Sequence, residues 1–286
     1  MKIVVLGGNG MAGHMIADYL KRYAGHEVIA TVRPRQGSSP NAEKAEGVRV
    51  VEMDALSFEE TGECLDALAP DIIVNAVGIL NHRAEERPLD AYKVNGLLPH
   101  WLRHRADRIG ARLIHISSDC VFSGNRGHYR EDDAPDGTSV YARSKALGEV
   151  RDRRHATIRT SIIGPDRKAD GIGLMQWFLS REGEVGGYTR VLWNGVTTLE
   201  LAKATAWLIE HPRTGGLLHL TAAETVSKYD LLLLMQEQFD KGNVTVVTND
   251  NFVIDRTLVA TRADFVYQAP GYREMLQQLR QWMTES

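Results

Sequence analysis

The chain has 286 residues, 43% hydrophobic and 25% charged, the mix of an ordinary globular protein with length enough for one large domain or two small ones. Its 34 basic residues against 37 acidic ones leave a net charge of -3, which offers no electrostatic footprint for nucleic acid or an anionic membrane. Two cysteines, Cys64 and Cys120, are too few for a disulfide framework and point to a reducing compartment.

The first apolar run, Ile3-Val4-Val5-Leu6, stops at Gly7 and is too short for a secretory leader. No later run approaches the roughly 20 residues that cross a bilayer, so no membrane partner and a cytoplasmic location are expected. Helical spacing follows over 11–23. Residues 27–32 and 48–53 read as strands two and three, and 57–68 as a helix ending at Ala69-Pro70. Ile72-Ile73-Val74 is strand four, 89–108 a long helix, and Leu113-Ile114-His115-Ile116 strand five. A helix over 139–153 and a sixth strand over 156–161 complete the pattern. Strands without polar alternation, each followed by a helix, predict parallel strands covered on both faces. Right-handed crossovers then give an α/β doubly wound sheet of Rossmann type.

The rhythm changes past Gly164-Pro165. Residues 166–173 form a polar, glycine-containing loop. Thr197-Thr198-Leu199-Glu200 carries a Thr-x-x-Glu capping box for a helix that Pro212 closes. A short strand over 217–220, a helix capped by Ser227, a strand over 244–247 and a last helix over 273–283 follow. The expected division is a dinucleotide-binding domain over 1–164, with 197–220 returning to it. Residues 165–196 and 221–286 then form a smaller α/β substrate lobe.

Gly7-Gly8-Asn9-Gly10-Met11-Ala12-Gly13 lies where strand one turns into the first helix. Gly7, Gly10 and Gly13 permit a tight turn, close approach of the backbone to a pyrophosphate, and close helix packing. The helix N-terminus, opening at Met11, offers free N–H groups to the phosphates. An acid at the end of strand two, roughly 20 residues on, would bind a ribose 2′-hydroxyl. Here the sequence is Thr31-Val32-Arg33-Pro34-Arg35. Arg33, with Arg35 beside it, suits a 2′-phosphate instead, so NADPH is expected, with NADH left open.

Tyr141-Ala142-Arg143-Ser144-Lys145 places a tyrosine and a lysine on one helix face. Bringing a phenol from pKa ~10 to neutrality takes ~4 kcal/mol. One ammonium at ~4 Å with an effective dielectric of ~20 supplies about that much. Ser117-Ser118-Asp119-Cys120 stands at the carboxyl end of strand five, where open α/β sheets place ligands.

Together the glycine turn, Ser117-Ser118-Asp119-Cys120-Val121-Phe122-Ser123-Gly124 and Tyr141 through Glu149 resemble the extended short-chain dehydrogenase/reductases. Tyr129-Arg130-Glu131-Asp132-Asp133 and Arg159-Thr160-Ser161 are similar to the dTDP-4-dehydrorhamnose reductase group in particular. The resemblance covers about residues 1–220. It implies an NADPH-dependent reduction of the 4-keto group of a nucleotide-diphosphate-linked 4-keto-6-deoxy sugar. Tyr141 is then the general acid, Lys145 holds the nicotinamide ribose, and Ser118 orients the carbonyl, with Ser117 as the fallback. Asp54, with Ala55, matches the position that contacts adenine. Asn75-Ala76-Val77 matches the cofactor-lining end of strand four. Asn95, Asp119, Cys120 and Trp193 are the substrate-side candidates. Cys120 stands where the group usually has Tyr. A nucleotide-sugar epimerase with tightly bound NAD and a non-catalytic NADP-binding regulatory subunit share these motifs and stand as alternatives. A homodimer is left open, and no metal is expected.

Three features are left aside. His100 and His104 share a helix face, but no third ligand accompanies them and Arg103, Arg105 and Arg108 repel a cation. Cys120 reads as a small packing residue. Trp177, Phe178 and Trp193 suit a sugar or base pocket and an aromatic core equally well.

Overall fold

The computed structural model describes residues 1–34, 47–167 and 173–285. Arg35 and most of the expected 166–173 loop lie outside these residues.

β1 (Lys2–Leu6), β2 (Glu27–Val32), β3 (Arg49–Glu52), β4 (Ile72–Asn75), β5 (Arg112–Ile116) and β6 (Ala156–Arg159) are the six strands expected in the first half. All lie in one sheet of seven strands, every pairing parallel. The sequence reason is visible in β1. Ile3 and Val5 enter one buried cluster while Val4 and Leu6 enter another on the opposite face. Both faces need apolar side chains, so polarity does not alternate.

α1 (Met11–Arg22) covers the first face, and α2 (Phe58–Leu68) the second. Ser57 caps α2 by accepting the Glu60 N–H at 3.2 Å. The expected 89–108 helix is three joined pieces: α4 (Pro88–Ala91), a π-helical turn (Tyr92–Leu97) and α5 (Leu98–Ile109). A short α3 (Asn81–Glu86) precedes them.

α6 (Val140–Leu147) stops well short of residue 153, and its C-cap Gly148 sits directly against the Asn95 carbonyl of the π turn, where no side chain fits.

After the short β7 (Ile162–Ile163) the chain builds α7 (Leu174–Leu179), β8 (Gly183–Tyr188), β9 (Val191–Trp193) and β10 (Val196–Thr197). α8 (Thr198–Glu210) then packs against α1, and β11 (Gly216–His219) pairs with β6 as the outer strand of the large sheet. The order across that sheet is β11-β6-β5-β4-β1-β2-β3. Thr197 caps α8 by accepting the Glu200 N–H at 3.2 Å. Only half of the expected capping box forms, because the Glu200 carboxylate turns instead to Lys203 and Tyr267.

The remaining chain forms β12 (Val226–Ser227), α9 (Lys228–Gln238), β13 (Val244–Asn249), β14 (Ile254–Asp255) and α10 (Tyr272–Glu285). Here the capping box is complete, between Ser227 and Asp230. β8 pairs with β13, and β9 sits between β12 and β14, so a smaller α/β lobe of small sheets stands on the large one. Four of its pieces carried no readable signal. β8 is half glycine, and β9, β12 and β14 are three residues or fewer.

Among the described residues no helix is long and apolar enough to cross a membrane, and no group of three metal-ligating side chains occurs.

Candidate functional site

Strand order reverses at β1, whose neighbours are β2 on one side and β4 on the other. Such a switch point opens a crevice beyond the carboxyl ends of the strands. The candidate residues gather there from β1, β4 and β5. With strands ~4.8 Å apart, the three ends span ~10 Å, which a dinucleotide can bridge.

Gly7 leaves β1 with φ +87°, a left-handed conformation that glycine adopts without strain. A Cβ there would meet the Ala76 carbonyl and the Val77 side chain at 3.2 Å, so the turn lies flat on the end of β4. Gly13 touches the Gly7 carbonyl so closely that any side chain would collide with backbone. Gly10 differs. A Cβ there meets only the Gly7 carbonyl oxygen, at 3.2 Å, and otherwise enters open space. Gly10 is also the N-cap of α1 and supplies no side-chain bond to the helix N-terminus, whose first turn carries no acid. Free N–H groups before an unfilled space are what a pyrophosphate requires. Met11, at the helix start, lays its terminal methyl against Gly173.

Arg33 is exposed just past β2, and no acid stands at that strand end. Asp54 follows β3 and turns the chain, with Oδ1 accepting the Leu56 N–H at 3.0 Å; Ala55 beside it is half-buried. Asn75 is fully buried and organises the end of β4: its Oδ1 accepts the Val77 N–H at 3.2 Å and its Nδ2 lies 3.1 Å from His115 Nδ1. Ala76 and Val77 stay partly exposed as the lining.

Tyr141 and Lys145 lie one turn apart on α6, buried to 9% and 4% exposure. The Ser139 cap, accepting the Ala142 N–H at 3.0 Å, sets where that helix begins. Lys145 Nζ donates to the Ile116 carbonyl of β5 at 2.6 Å, and burial lowers its pKa to about 8 against the pull of Glu149.

The expectation that the lysine draws the phenol toward neutrality is not met. Burial, with Cys120 and Asp119 nearby, pushes the Tyr141 phenol above its ordinary range, and the Ser118 hydroxyl only partly opposes this. Lys145 does not figure among the groups that act on the phenol, and its ammonium bonds the Ile116 carbonyl. A phenol so placed keeps its proton and is suited to donate it.

Ser118 donates to Asp119 Oδ1 at 3.2 Å and accepts the Cys120 N–H at 3.1 Å. Ser117 is engaged elsewhere. Its hydroxyl donates to Glu149 Oε1 at 3.0 Å, on a carboxylate that also holds the fully buried Arg159 through bonds of 2.7 and 2.6 Å. Ser118 therefore belongs to the Tyr141 cluster and Ser117 does not.

Asp119 is 8% exposed, and burial raises its pKa, with Arg256 and Lys228 drawing it back. The neighbouring Cys120 thiol is pushed up to about 12, mainly by burial, and is no nucleophile at neutral pH.

Asn95 and Trp193 sit differently from the other candidates. Asn95 is fully buried, with Oδ1 accepting the Ile79 N–H at 2.8 Å and Nδ2 bonded to the Ile79 carbonyl and Ser144 Oγ. Its amide ties the loop after β4 to α6, with both Nδ2 protons used and no surface exposed to a ligand. Trp193 is 4% exposed in the core of the lobe, beside Tyr272, and meets the site through Lys228, whose ammonium lies 4.5 Å from its ring centre.

Lys228 and Arg256 were not found from sequence. The one available signal was Lys228 at the first position of α9, where the helix dipole disfavours a cation. His100, for its part, bonds the Leu147 carbonyl at 2.6 Å, a structural use.

The family model described as the RmlD substrate binding domain matches residues 1–272. Among curated relatives, the chain is 28% identical to the spore coat polysaccharide biosynthesis protein SpsK of Bacillus subtilis (strain 168), over 83% of this chain and 79% of that one. It is 29% identical to the dTDP-4-dehydrorhamnose reductase of Escherichia coli (strain K12), over 72% of each chain. Among solved structures, dTDP-4-dehydrorhamnose reductase from Bacillus anthracis str. Ames, in complex with NADP, superposes with a TM-score of 0.78 over 98% of this chain and 99% of that one. At 18% identity that likeness is one of fold. With the match running from the glycine turn through the C-terminal lobe, the chain belongs to the RmlD substrate-binding-domain family, within the extended short-chain dehydrogenase/reductases.

Proposed function

We propose that the protein is an NADPH-dependent reductase of the 4-keto group of a nucleotide-diphosphate-linked 4-keto-6-deoxy sugar. The coarser class, an NAD(P)-dependent oxidoreductase acting on a nucleotide sugar, follows from the family. The cluster of Ser118, Tyr141 and Lys145 at the carboxyl ends of the sheet supports carbonyl–alcohol chemistry, and the observation that carries the finer reading is exposed Arg33 in place of an acid just past β2, which favours NADPH and so a reductase over an epimerase with bound NAD. The reductase name of the Escherichia coli relative supports the same reading.

The residues fit the cofactor: the free N-terminus of α1 and the space before Gly10 suit a pyrophosphate, and exposed Arg33 suits a 2′-phosphate. The reduced nicotinamide, when bound, supplies the hydride. Ser118 orients the substrate carbonyl. Tyr141, protonated at neutral pH, gives its proton to the carbonyl oxygen as negative charge develops there. Lys145 would hold the ribose hydroxyls, and its charge would ease the loss of that proton. Cys120, Asp119 and Lys228 wall the sugar side.

The test is a screen of nucleotide-linked 4-keto sugars, reading NADPH consumption and the product by NMR. Steady consumption with a new hydroxyl at C4 supports the reading. Interconversion of two sugars without net consumption identifies an epimerase. Retained NADPH binding with no turnover on any keto sugar identifies a regulatory subunit.

A further inference from the structure

The C-terminal lobe grips the loop that follows β5 along a single strip. Residues 254–261 run beside residues 122–131. The Asp255 N–H donates to the Gly124 carbonyl at 2.8 Å, the Tyr129 N–H to Thr257 O at 2.9 Å, and the Val259 N–H to Tyr129 O at 2.7 Å. At the near end Arg256 Nε donates to the Phe122 carbonyl at 3.0 Å, and its Nη1 lies 3.8 Å from Cys120 Sγ. Loop and strip are thus one body, and what seats that body on the sheet is a second, buried set of bonds.

Glu149, just past α6, accepts the Ser117 hydroxyl at 3.0 Å and the Arg159 guanidinium at 2.7 and 2.6 Å. The guanidinium lies 4.7 Å from the centre of the Phe122 ring. Its Nη1 meets Nε2 of the fully buried His219 at 3.0 Å, and His219 Nδ1 meets the Val259 carbonyl of the strip at 3.0 Å. Chemistry leaves one assignment. Arginine only donates and a carbonyl only accepts, so Nε2 is the acceptor and Nδ1 carries the proton. A second proton would set an N–H against the guanidinium. Charged groups reach the ring from Arg159 in β6, Glu131 in the loop and Glu149 beyond Arg159, and burial holds its pKa below the ordinary range. Glu131 ties the strip to the β11 main chain, accepting the N–H groups of His219 at 3.3 Å and Thr261 at 3.1 Å. The ring carries that tie on to Arg159 and Glu149.

We infer that His219 is a positioning residue, a neutral imidazole that ties the strip to the Glu149–Arg159 pair and so sets how the substrate lobe seats over the end of β5. The inference rests on the reductase reading for one point, that this seating governs how the sugar is held. The path is short. Val259 is three residues from Arg256, which reaches Phe122 and Cys120, and Glu149 holds Ser117 directly before Ser118. One imidazole therefore joins the two supports of the loop that carries Ser118, Asp119 and Cys120. Without its two bonds, loop and strip keep each other but are free to shift together against the sheet.

The experiment uses the full chain, first without substrate. In ¹⁵N-histidine spectra of the wild type, the resonances that His219→Leu removes are expected to show the proton on Nδ1 at neutral pH. In His219→Leu, hydrogen exchange at the Val259 and Thr261 amides is expected to speed up roughly 10-fold or more, the scale of two lost hydrogen bonds, while β1 and β4 stay protected. NADPH affinity is unchanged. His219→Asn can set an amide nitrogen where Nδ1 stands, so it keeps the strip protected, and with the wild-type spectra it decides the matter if His219→Leu fails to fold. With a keto sugar that the wild type reduces, KM rises in the loosened variant more than kcat falls. A proton on Nε2, wild-type strip protection in a folded His219→Leu protein, or a loosened strip in His219→Asn overturns the inference. So does an unchanged KM in a variant whose strip has loosened. If wild type reduces no keto sugar while exchange behaves as stated, the reductase reading fails and the tie through His219 stands.

Discussion

Ser117 and Ser118 are adjacent at the end of β5, yet their hydroxyls serve different partners: Glu149 for the first, Asp119 and the Cys120 N–H for the second. Successive residues of an extended chain point to opposite sides, so one serine enters the core and its neighbour the crevice. Ser118→Ala is expected to lower turnover by roughly 10²-fold with NADPH binding intact, the scale for losing one oriented donor. Ser117→Ala is expected to keep turnover but to destabilise the fold by about 1–3 kcal/mol, because Glu149 loses a buried donor. Steady-state kinetics and urea unfolding on both variants separate the two roles. The reverse pattern would return Ser117 to the site.

Tyr141→Phe removes the proposed proton donor and leaves the ring packed. Turnover is expected to fall roughly 10²–10⁴-fold, the range for general acid catalysis. NADPH affinity, measured by cofactor fluorescence, is expected to stay within the wild-type range, since the proposed phosphate contacts lie at α1 and Arg33. Near wild-type reduction by this variant would end the mechanism.

Lys145 carries a linked pH effect. Its folded pKa of about 8 lies below the ~10.4 of an unfolded lysine. Below pH 8 both states hold the proton, and the fold bears the full penalty of a buried ammonium. Between about pH 8 and 10.4 the unfolded chain binds more protons, so stability rises with pH relative to a variant without the lysine. Lys145→Met is therefore expected to abolish turnover yet stabilise the protein by about 1–3 kcal/mol at pH 7, a gain that fades toward pH 10. Thermal melts at several pH values check the sign. A variant less stable at pH 7 than at pH 10, relative to wild type, contradicts it.

The glycines of the turn divide into two kinds. Gly10→Val is expected to fold normally and lose NADPH binding, because its side chain enters the space before the helix N-terminus. Gly13→Val is expected to misfold, since its Cβ collides with the Gly7 carbonyl. Circular dichroism and cofactor titration read the difference, and a folded Gly10→Val protein with wild-type affinity would exclude the turn as the pyrophosphate site.

Arg33 sets cofactor preference in this reading. Arg33→Ala is expected to weaken NADPH by roughly 10–100-fold while leaving NADH nearly unchanged, the loss of one charge-assisted pair to phosphate. Equal affinities for the two cofactors in wild type would contradict the assignment.

The sheet was legible because its strands are apolar on both faces and alternate regularly with helices. The Tyr141–Lys145 pair and the Ser118 strand end were legible as local spacings. What escaped notice was held by distant partners. Arg256 reaches Phe122 across 134 positions, and nothing around it in sequence announces that contact. The commitment of Asn95 to Ile79 and Ser144 depends on a π turn inside what reads as an unbroken helix. The short lobe strands were lost for the same reason, being defined by partners more than by pattern.

The return of β11 to the edge of the large sheet has a consequence for any attempt to divide the molecule. A cut after residue 164 yields a fragment that holds the whole glycine turn and the Tyr141 cluster. It also bares the main-chain donors and acceptors of β6, which β11 otherwise pairs, and the face of α1 that α8 covers. An open apolar strand edge beside an uncovered helix recruits other chains. The cofactor half is thus contiguous as a list of motifs but not as a body, and a cut at residue 164 leaves it with an edge and a helix face that invite association.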